Sequence, residues 1–249
     1  MTQALKDRAA LVTGASSGIG EATALMLADA GARVAVAARR RDRLEDVARR
    51  IRERGAEALV VEADFGVEAE AQRAVHETEQ AFGRLDILVN NAGVMYLAPV
   101  ADADLAHWRR MFEINVLGLI AATQAALPGM RERRDGHVVN IASTAGRIAS
   151  PTGAAYSATK FGVVAFSESL RKEIYQDRVR VTVIEPGLVA TELREHIDHA
   201  ATQKSLNDWA ASVRQLQPED IARAILYAVT QPPHVCVNEI LLRPTDQER

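Results

Sequence analysis

A chain of 249 residues with 48% hydrophobic and 25% charged positions has the composition of a soluble globular protein, which excludes a disordered or fibrous one. Its formal net charge of -3 gives no broad cationic field, so neither nucleic acid nor a membrane surface is an expected partner. The single cysteine, Cys236, excludes an internal disulfide or zinc cluster and reads as a small buried hydrophobe.

In chain order, Met1 to Ala10 carries Lys6, Asp7 and Arg8 ahead of a short apolar run, which is neither a signal peptide nor a membrane span and makes the cytoplasm the expected location. Short runs rich in Val, Ile and Ala follow at Ala9–Val12, Arg33–Ala37, Ala58–Val61, Ile87–Val89, Val138–Ile141 and Val179–Ile184, the pattern of strands covered on both faces. Between them, helical spacing predicts helices at Ile19–Ala30, Arg41–Arg54, Glu68–Phe82, Asp104–Leu127, Ala154–Tyr175 and Pro218–Val229. This βαβα alternation predicts an α/β fold: one Rossmann-like, doubly wound domain whose ligands sit at the C-terminal ends of parallel strands. The one interruption, Val189 to Leu216, is polar and helix-prone, carries Trp209, and reads as a lid.

Directly after the first strand, Thr13-Gly14-Ala15-Ser16-Ser17-Gly18-Ile19-Gly20 leads into a helix. Glycines let such a turn close and let backbone amides approach a pyrophosphate at the positive end of the helix. The G-x-x-x-G-x-G spacing differs from G-x-G-x-x-G, so the mechanism transfers rather than the letters. At the end of the second strand an NAD site would place an acid, whereas here Ala38 is followed by Arg39 and Arg40. Guanidinium groups suit a ribose 2′-phosphate, so the expected cofactor is NADP(H). Asp64 and Phe65 fall where the adenine would rest, a plain surface turn being the alternative, and Asn90-Asn91-Ala92-Gly93 would brace the strands and run under a ribose.

Tyr156 and Lys160, spaced i, i+4 at the start of a long helix, present a phenol and an ammonium on one face. A free tyrosine titrates near ~10, and an ammonium that stabilises phenolate would bring it toward neutral proton transfer. Tyr156 then serves as acid in reduction and base in oxidation. Ser143, after the fifth strand, can polarise a carbonyl, and Asn115, among apolar neighbours, needs buried partners and is expected to hold a water near Lys160.

With these residues in this order, the sequence resembles the short-chain dehydrogenase/reductase family across essentially its whole length. The resemblance implies a seven-stranded sheet, a catalytic tetrad of Asn115, Ser143, Tyr156 and Lys160, and a nicotinamide lined by Pro186, Gly187, Val189 and Thr191. It also implies a homotetramer in which the Asp104–Leu127 and Ala154–Tyr175 helices pair, their small residues Ala121, Ala122, Ala125, Val163, Ala165 and Ser169 exceeding what one core face needs. Within the family, Ala38-Arg39-Arg40, Val183-Ile184-Glu185-Pro186-Gly187, Glu192-Leu193-Arg194 and Arg243-Pro244-Thr245-Asp246-Gln247 resemble a branch of NADPH-dependent aldehyde reductases and hydroxy-acid dehydrogenases. The last strand, Asn238 to Leu242, lacks the family's usual Asp-Gly-Gly ending.

The expected partner is therefore a small carbonyl or alcohol. Candidate substrate residues are Met95, Tyr96, Ala145, Gly146, Arg147, Leu193 and Trp209, besides Ser143 and Tyr156. Arg147 could meet a substrate carboxylate or be a solvated loop arginine. Glu195-His196-Ile197-Asp198-His199 has metal-ligand composition, but its histidines are three apart with no third ligand, so no metal is expected. A 3-oxoacyl or 3-hydroxy acid reductase is the alternative activity. A regulatory protein that senses NADP(H) is the non-enzymatic alternative, against which the Tyr156/Lys160 pair speaks.

Overall fold

In the computed structural model, which describes residues 3–248, seven parallel strands form one sheet in the order β3-β2-β1-β4-β5-β6-β7. They are β1 Ala9–Thr13, β2 Arg33–Ala38, β3 Ala58–Glu62, β4 Ile87–Asn90, β5 Gly136–Ile141, β6 Val179–Pro186 and β7 Glu239–Leu242. The reversal of strand order between β1 and β4 opens a crevice at their C-terminal ends, where doubly wound sheets bind ligands.

Successive residues of a strand point to opposite faces, and β1 illustrates the consequence. Ala10 and Val12 pack into one core layer with α1 (Gly18–Asp29), α2 (Arg41–Glu53) and α8 (Pro218–Val229). Ala9 and Leu11 pack into the other with α3 (Glu68–Phe82), α5 (Leu119–Arg133) and α6 (Ala154–Ile174). Both faces are thus dry, which is why the strands read as continuous apolar runs.

The expected Asp104–Leu127 helix differs in two ways. It divides into α4 (Leu105–Phe112), a π-helical turn at Glu113–Gly118 and α5, and it continues through Pro128 to Arg133. Gln124, whose carbonyl Pro128 cannot bond, is an exposed residue that water can serve. This continuous helix is long and apolar enough to cross a membrane, yet half of its most apolar window is buried in the domain. Ala122, Ala126 and Met130 are fully enclosed against the sheet and its neighbouring helices.

The Val189–Leu216 insertion folds as a short 3-10 helix, Glu192–His196, and α7, Ala200–Ser212. Its base is pinched shut where Ala190 N–H donates to Leu216 O and Leu216 N–H to Leu188 O. Cys236, expected to be buried, is exposed, with its thiol directed at Val181 O.

Candidate active site

The turn after β1 requires glycine at two places. Gly14 has φ +65, and a Cβ there would lie 2.8 Å from Ala92 Cα; a Cβ on Gly20 would lie 2.4 Å from the carbonyl oxygen of Gly14. The cradle is therefore closed by backbone touching backbone. Gly20 supports it from behind and is not part of its lining. At the helix start, Ser17 makes no side-chain cap, so the first-turn amides of α1 are not taken by it and can serve an anion.

Asn91 locks the cradle to β4. Its Nδ2 donates to Thr13 O at 2.9 Å, while the backbone amides of Asn91 and Ala92 both donate to Thr13 Oγ1 at 2.9 Å. Asn90 is turned the other way, into a buried polar run in which it donates to Asn140 Oδ1 and Thr123 Oγ1.

One cavity of about 610 Å³ runs from this cradle across the sheet edge. Gly14, Ser16, Ser17, Gly18 and Ile19 line it at one end with Ala38, Arg39 and Arg40. Asp64, Phe65, Asn91, Ala92 and Gly93 follow, and Ser143, Tyr156, Lys160, Pro186, Gly187, Val189 and Thr191 line the far part. The structure thus brings together nearly every residue singled out in the sequence for a dinucleotide. A glycine-walled floor, open helix amides and two arginines at the rim fit such a cofactor.

Two rim residues are already engaged. Arg40 donates to Ser16 Oγ and, at 2.9 Å, to Ser17 Oγ, while its Nη1 donates to Glu192 at 2.8 Å. Asp64, expected to face an adenine amino group, instead binds Gly66 N–H and Arg110 Nη2, the latter at 2.6 and 2.8 Å. Burial pushes the Asp64 carboxyl up, but these hydrogen bonds outweigh it and hold the group below its ordinary range. Its carboxylate is a brace for the β3 turn, although the residue still lines the cavity.

At the reactive end Tyr156 and Lys160 are buried, at 8% and 6% exposure, with the ammonium 5.8 Å from the centre of the phenol ring. Lys160 Nζ donates to Ile141 O at 2.8 Å, which fixes the helix to the end of β5. The expectation that the ammonium pulls the phenol toward neutral pH is corrected. Burial pushes Tyr156 up to about 12, with Ser143 pulling the other way, and burial pushes Lys160 down to about 8. Desolvation of the charged form is the largest cause for each group. Tyr156 is thus a protonated phenol and Lys160 mainly an ammonium at neutral pH, the states that proton donation needs.

Ser143 caps the 3-10 turn Thr144–Gly146, accepting from Ala145 N–H at 3.1 Å, and its Oγ–H reaches Pro186 O only at a long 3.4 Å. That hydroxyl can turn to a substrate oxygen at small cost. Asn115 is the one tetrad member absent from the cavity lining. Its side chain accepts from Val94 N–H and donates to Val94 O, both at 2.9 Å, and also to Thr159 Oγ1. Those bonds make the amide fasten the β4 loop to α6's first turns.

The substrate candidates separate. Met95, Leu193 and Trp209 line the far end of the cavity with Leu97, Ile114, His196 and Leu206. Tyr96 and Ala145 lie behind that wall, packed with Met95 and Tyr156, and Gly146 packs against the Lys160 carbonyl. Arg147 is a correction. Its guanidinium forms a forked pair with fully buried Glu185, at 2.6 and 2.8 Å, and also binds Glu239. An uncompensated buried carboxylate is costly, so this arginine is committed to the β6–β7 edge and not to substrate. Among the described residues no metal-binding cluster occurs, and His196 and His199 each bond locally.

Arg43, Arg110, Glu192 and Gln247 make contacts at or beside the site that the sequence did not assign to it. Gln247 returns from the C-terminal tail so that its Oε1 accepts from Leu188 N–H at 2.9 Å and reaches the cavity, at the turn where the missing Asp-Gly-Gly ending had left contacts open.

The fold coincides with that of a known family. The short chain dehydrogenase model matches residues 8–202, and the chain belongs to that family. It is 36% identical over 246 residues to an uncharacterized oxidoreductase of Staphylococcus saprophyticus, covering 98% of both chains. It is 39% identical over 240 residues to one of Staphylococcus aureus, covering 96% of this chain and 98% of the relative. Among solved structures, an alcohol dehydrogenase of Thermococcus sibiricus complexed with 5-hydroxy-NADP superposes with TM-score 0.86 at 29% identity, covering 97% and 98% of the two chains. A serine dehydrogenase complexed with NADP+ gives 0.87 at 34% identity, covering 97% and 96%.

Proposed function

We propose that this protein is an NADP(H)-dependent oxidoreductase that reduces an aldehyde or ketone to the alcohol, reversibly. One observation carries the reading: a single cavity joins the arginine-rimmed glycine cradle to the buried Tyr156–Lys160 pair and the Ser143 hydroxyl. The bound cofactor would supply or accept the hydride. Ser143 orients the carbonyl oxygen, Tyr156 donates its phenolic proton to that oxygen as charge develops, and Lys160 stabilises the phenolate left behind. Asn115 positions the β4 loop against α6. Likeness to structures holding NADP or 5-hydroxy-NADP supports the cofactor, together with Arg39 and Arg40 at the rim.

The apolar end formed by Met95, Leu97, Leu193, Leu206 and Trp209 favours a neutral, hydrophobic carbonyl. Resemblance to clavulanate-9-aldehyde reductase in the Ala38–Arg40 and Arg243–Gln247 stretches makes bicyclic aldehydes one class to include. A 3-hydroxy acid is the second reading, favoured by the likeness to serine dehydrogenase. Arg147 being committed elsewhere, its carboxylate would depend on Arg194, which lines the cavity and binds Gln215 at 3.0 Å. The 189–216 insertion would act as the lid, and the assembly would be a homotetramer. The test is NADPH oxidation with a panel of neutral aldehydes, ketones and 3-oxo acids. Turnover of none, or an NADH preference in kcat/KM, overturns the reading.

A further inference from the structure

Glu192 lies at the start of the insertion, one residue after Thr191, and its carboxylate spans two guanidinium groups. Arg40 Nη1 donates to Oε2 at 2.8 Å and Arg43 Nη1 to Oε1 at 2.6 Å. Arg40 is the same residue that lies across the Ser16 and Ser17 hydroxyls at the mouth of the cradle. A carboxylate with one oxygen on each of two arginines has the charge and donor set that a phosphate monoester would use there. Arg39 lines the same cavity. The two arginines hold the Glu192 carboxyl down to about 2, so it is an anion at any working pH.

We infer that Glu192 is an internal stand-in for the cofactor's 2′-phosphate, competing with it for Arg40 and Arg43 and so setting the affinity for phosphorylated over unphosphorylated dinucleotide. The inference rests on the NADP(H) reading above. Its chemistry is an exchange of anions: the phosphate takes the guanidinium N–H groups and Glu192 passes to water. The side chains involved are all about 40% exposed, so the released carboxylate is readily solvated. A cofactor with a bare ribose hydroxyl has no anion to offer and leaves the Glu192 pairs in place. Arg43 thereby becomes a third phosphate-site arginine, although it sits beyond the cavity lining in the first turn of α2.

The measurement is calorimetric binding of 2′,5′-ADP and of 5′-ADP to the full-length protein, wild type against Glu192→Gln and Arg43→Gln. Glu192→Gln is expected to tighten 2′,5′-ADP binding about five- to tenfold, the magnitude of one or two half-exposed ion pairs, and to leave 5′-ADP unchanged. Arg43→Gln is expected to weaken 2′,5′-ADP selectively. Unchanged or weaker 2′,5′-ADP binding by Glu192→Gln, or equal tightening of both ligands, overturns the inference while leaving the cofactor reading intact. A wild-type protein that does not discriminate the two ligands overturns both. Thermal unfolding of the variants, expected within a few degrees of wild type, separates lost folding from altered binding.

Discussion

At the scale of single residues, the site is a set of charges and hydroxyls whose states are set by burial at Tyr156 and Lys160 and by ion pairing at Asp64 and Glu192. In the proposed mechanism Tyr156 is the proton donor, so Tyr156→Phe should lower kcat for carbonyl reduction by roughly 10²–10⁴ while calorimetric binding of NADPH stays as in wild type. Wild-type turnover by that variant would remove the mechanism. Lys160 supplies a pH dependence. Its folded pKa lies below the ordinary lysine value, near 8, so the ammonium is present below that pH and is lost as pH rises through it. The ammonium favours the phenolate left after proton donation, and kcat/KM for reduction should therefore decline above about pH 8; a profile flat from pH 7 to about 10, where free tyrosine titrates, would contradict this. The residues that carry this chemistry were legible because Tyr156 and Lys160 are four apart on one helix and Gly14, Gly18 and Gly20 share one turn. Glu192 was not, since its partners lie 149 and 152 positions away, and no local pattern marks such a pair. Arg147 was misread for the same reason: its carboxylates, Glu185 and Glu239, are supplied by distant strands.

At the scale of elements, regular periodicity was easy to read and its interruption was not. α3 and α8 begin and end where their patterns do, at Glu68–Phe82 and Pro218–Val229. At the latter, the Gln217 amide donates to Asp220 in the first turn. The π-turn at Glu113–Gly118 was invisible because apolar residues continue through it at nearly helical spacing. Its use is local. The wide turn holds buried Asn115, whose amide satisfies both backbone groups of Val94, and it holds Gly118, where a Cβ would lie 1.8 Å from Phe65 O. Asn115→Leu would strand the Val94 N–H and C=O in a dry interior, each at a cost of roughly 1–3 kcal/mol. Urea unfolding should show that loss in the midpoint with little change in slope, accompanied by lower activity as the β4 loop shifts from Tyr156. Unaltered stability would mean that the Val94 groups find other partners. A methyl at Gly20 should likewise be destabilising by about 1–3 kcal/mol, because the Gly14 carbonyl it meets belongs to the cradle itself.

At the scale of the whole molecule, one buried imidazole should make stability depend on acid. His137 lies in β5, fully enclosed, with Nε2 on Thr182 Oγ1 and Nδ1 without a partner among the described residues. Since Thr182 Oγ donates to Val237 O, the imidazole is the donor in its bond to Thr182, and Nδ1 carries no proton. Burial, with Arg180 adding to it, pushes this group down to about 3. The unfolded chain takes up the proton near the ordinary ~6.5, and the folded one does so only at far lower pH. The unfolded state therefore binds more protons throughout this window, and stability falls as pH drops from about 6.5 toward 3. The slope approaches about 1.4 kcal/mol per pH unit for this one group. His137→Leu, which removes the titrating group while Thr182 keeps Val237 O as acceptor, should flatten that part of the stability profile. Equal slopes in denaturant titrations at pH 6 and pH 4 for variant and wild type would show that other groups set the acid limit.

Assembly is the last property argued at this scale. The small helix residues expected to exceed the needs of one core divide: Ala121, Ala122 and Val163 are buried within the protein, Ala125 is half-buried, and Ala165 and Ser169 are exposed. The larger unpartnered surface on the same helices is Phe112, Leu117 and Phe161, each exposed by more than 40%. Apolar groups of this size in helices that also carry Tyr156, Lys160 and Asn115 would link an assembly to the site, since a helix held by a neighbouring copy would keep that face in place. Sedimentation of the wild type should give a tetramer, and Phe161→Glu, which places a charge in the middle of the helix face, should give smaller species with reduced activity. A wild-type monomer that is fully active would remove this account, and a tetramer undisturbed by Phe161→Glu would place the interface on another face.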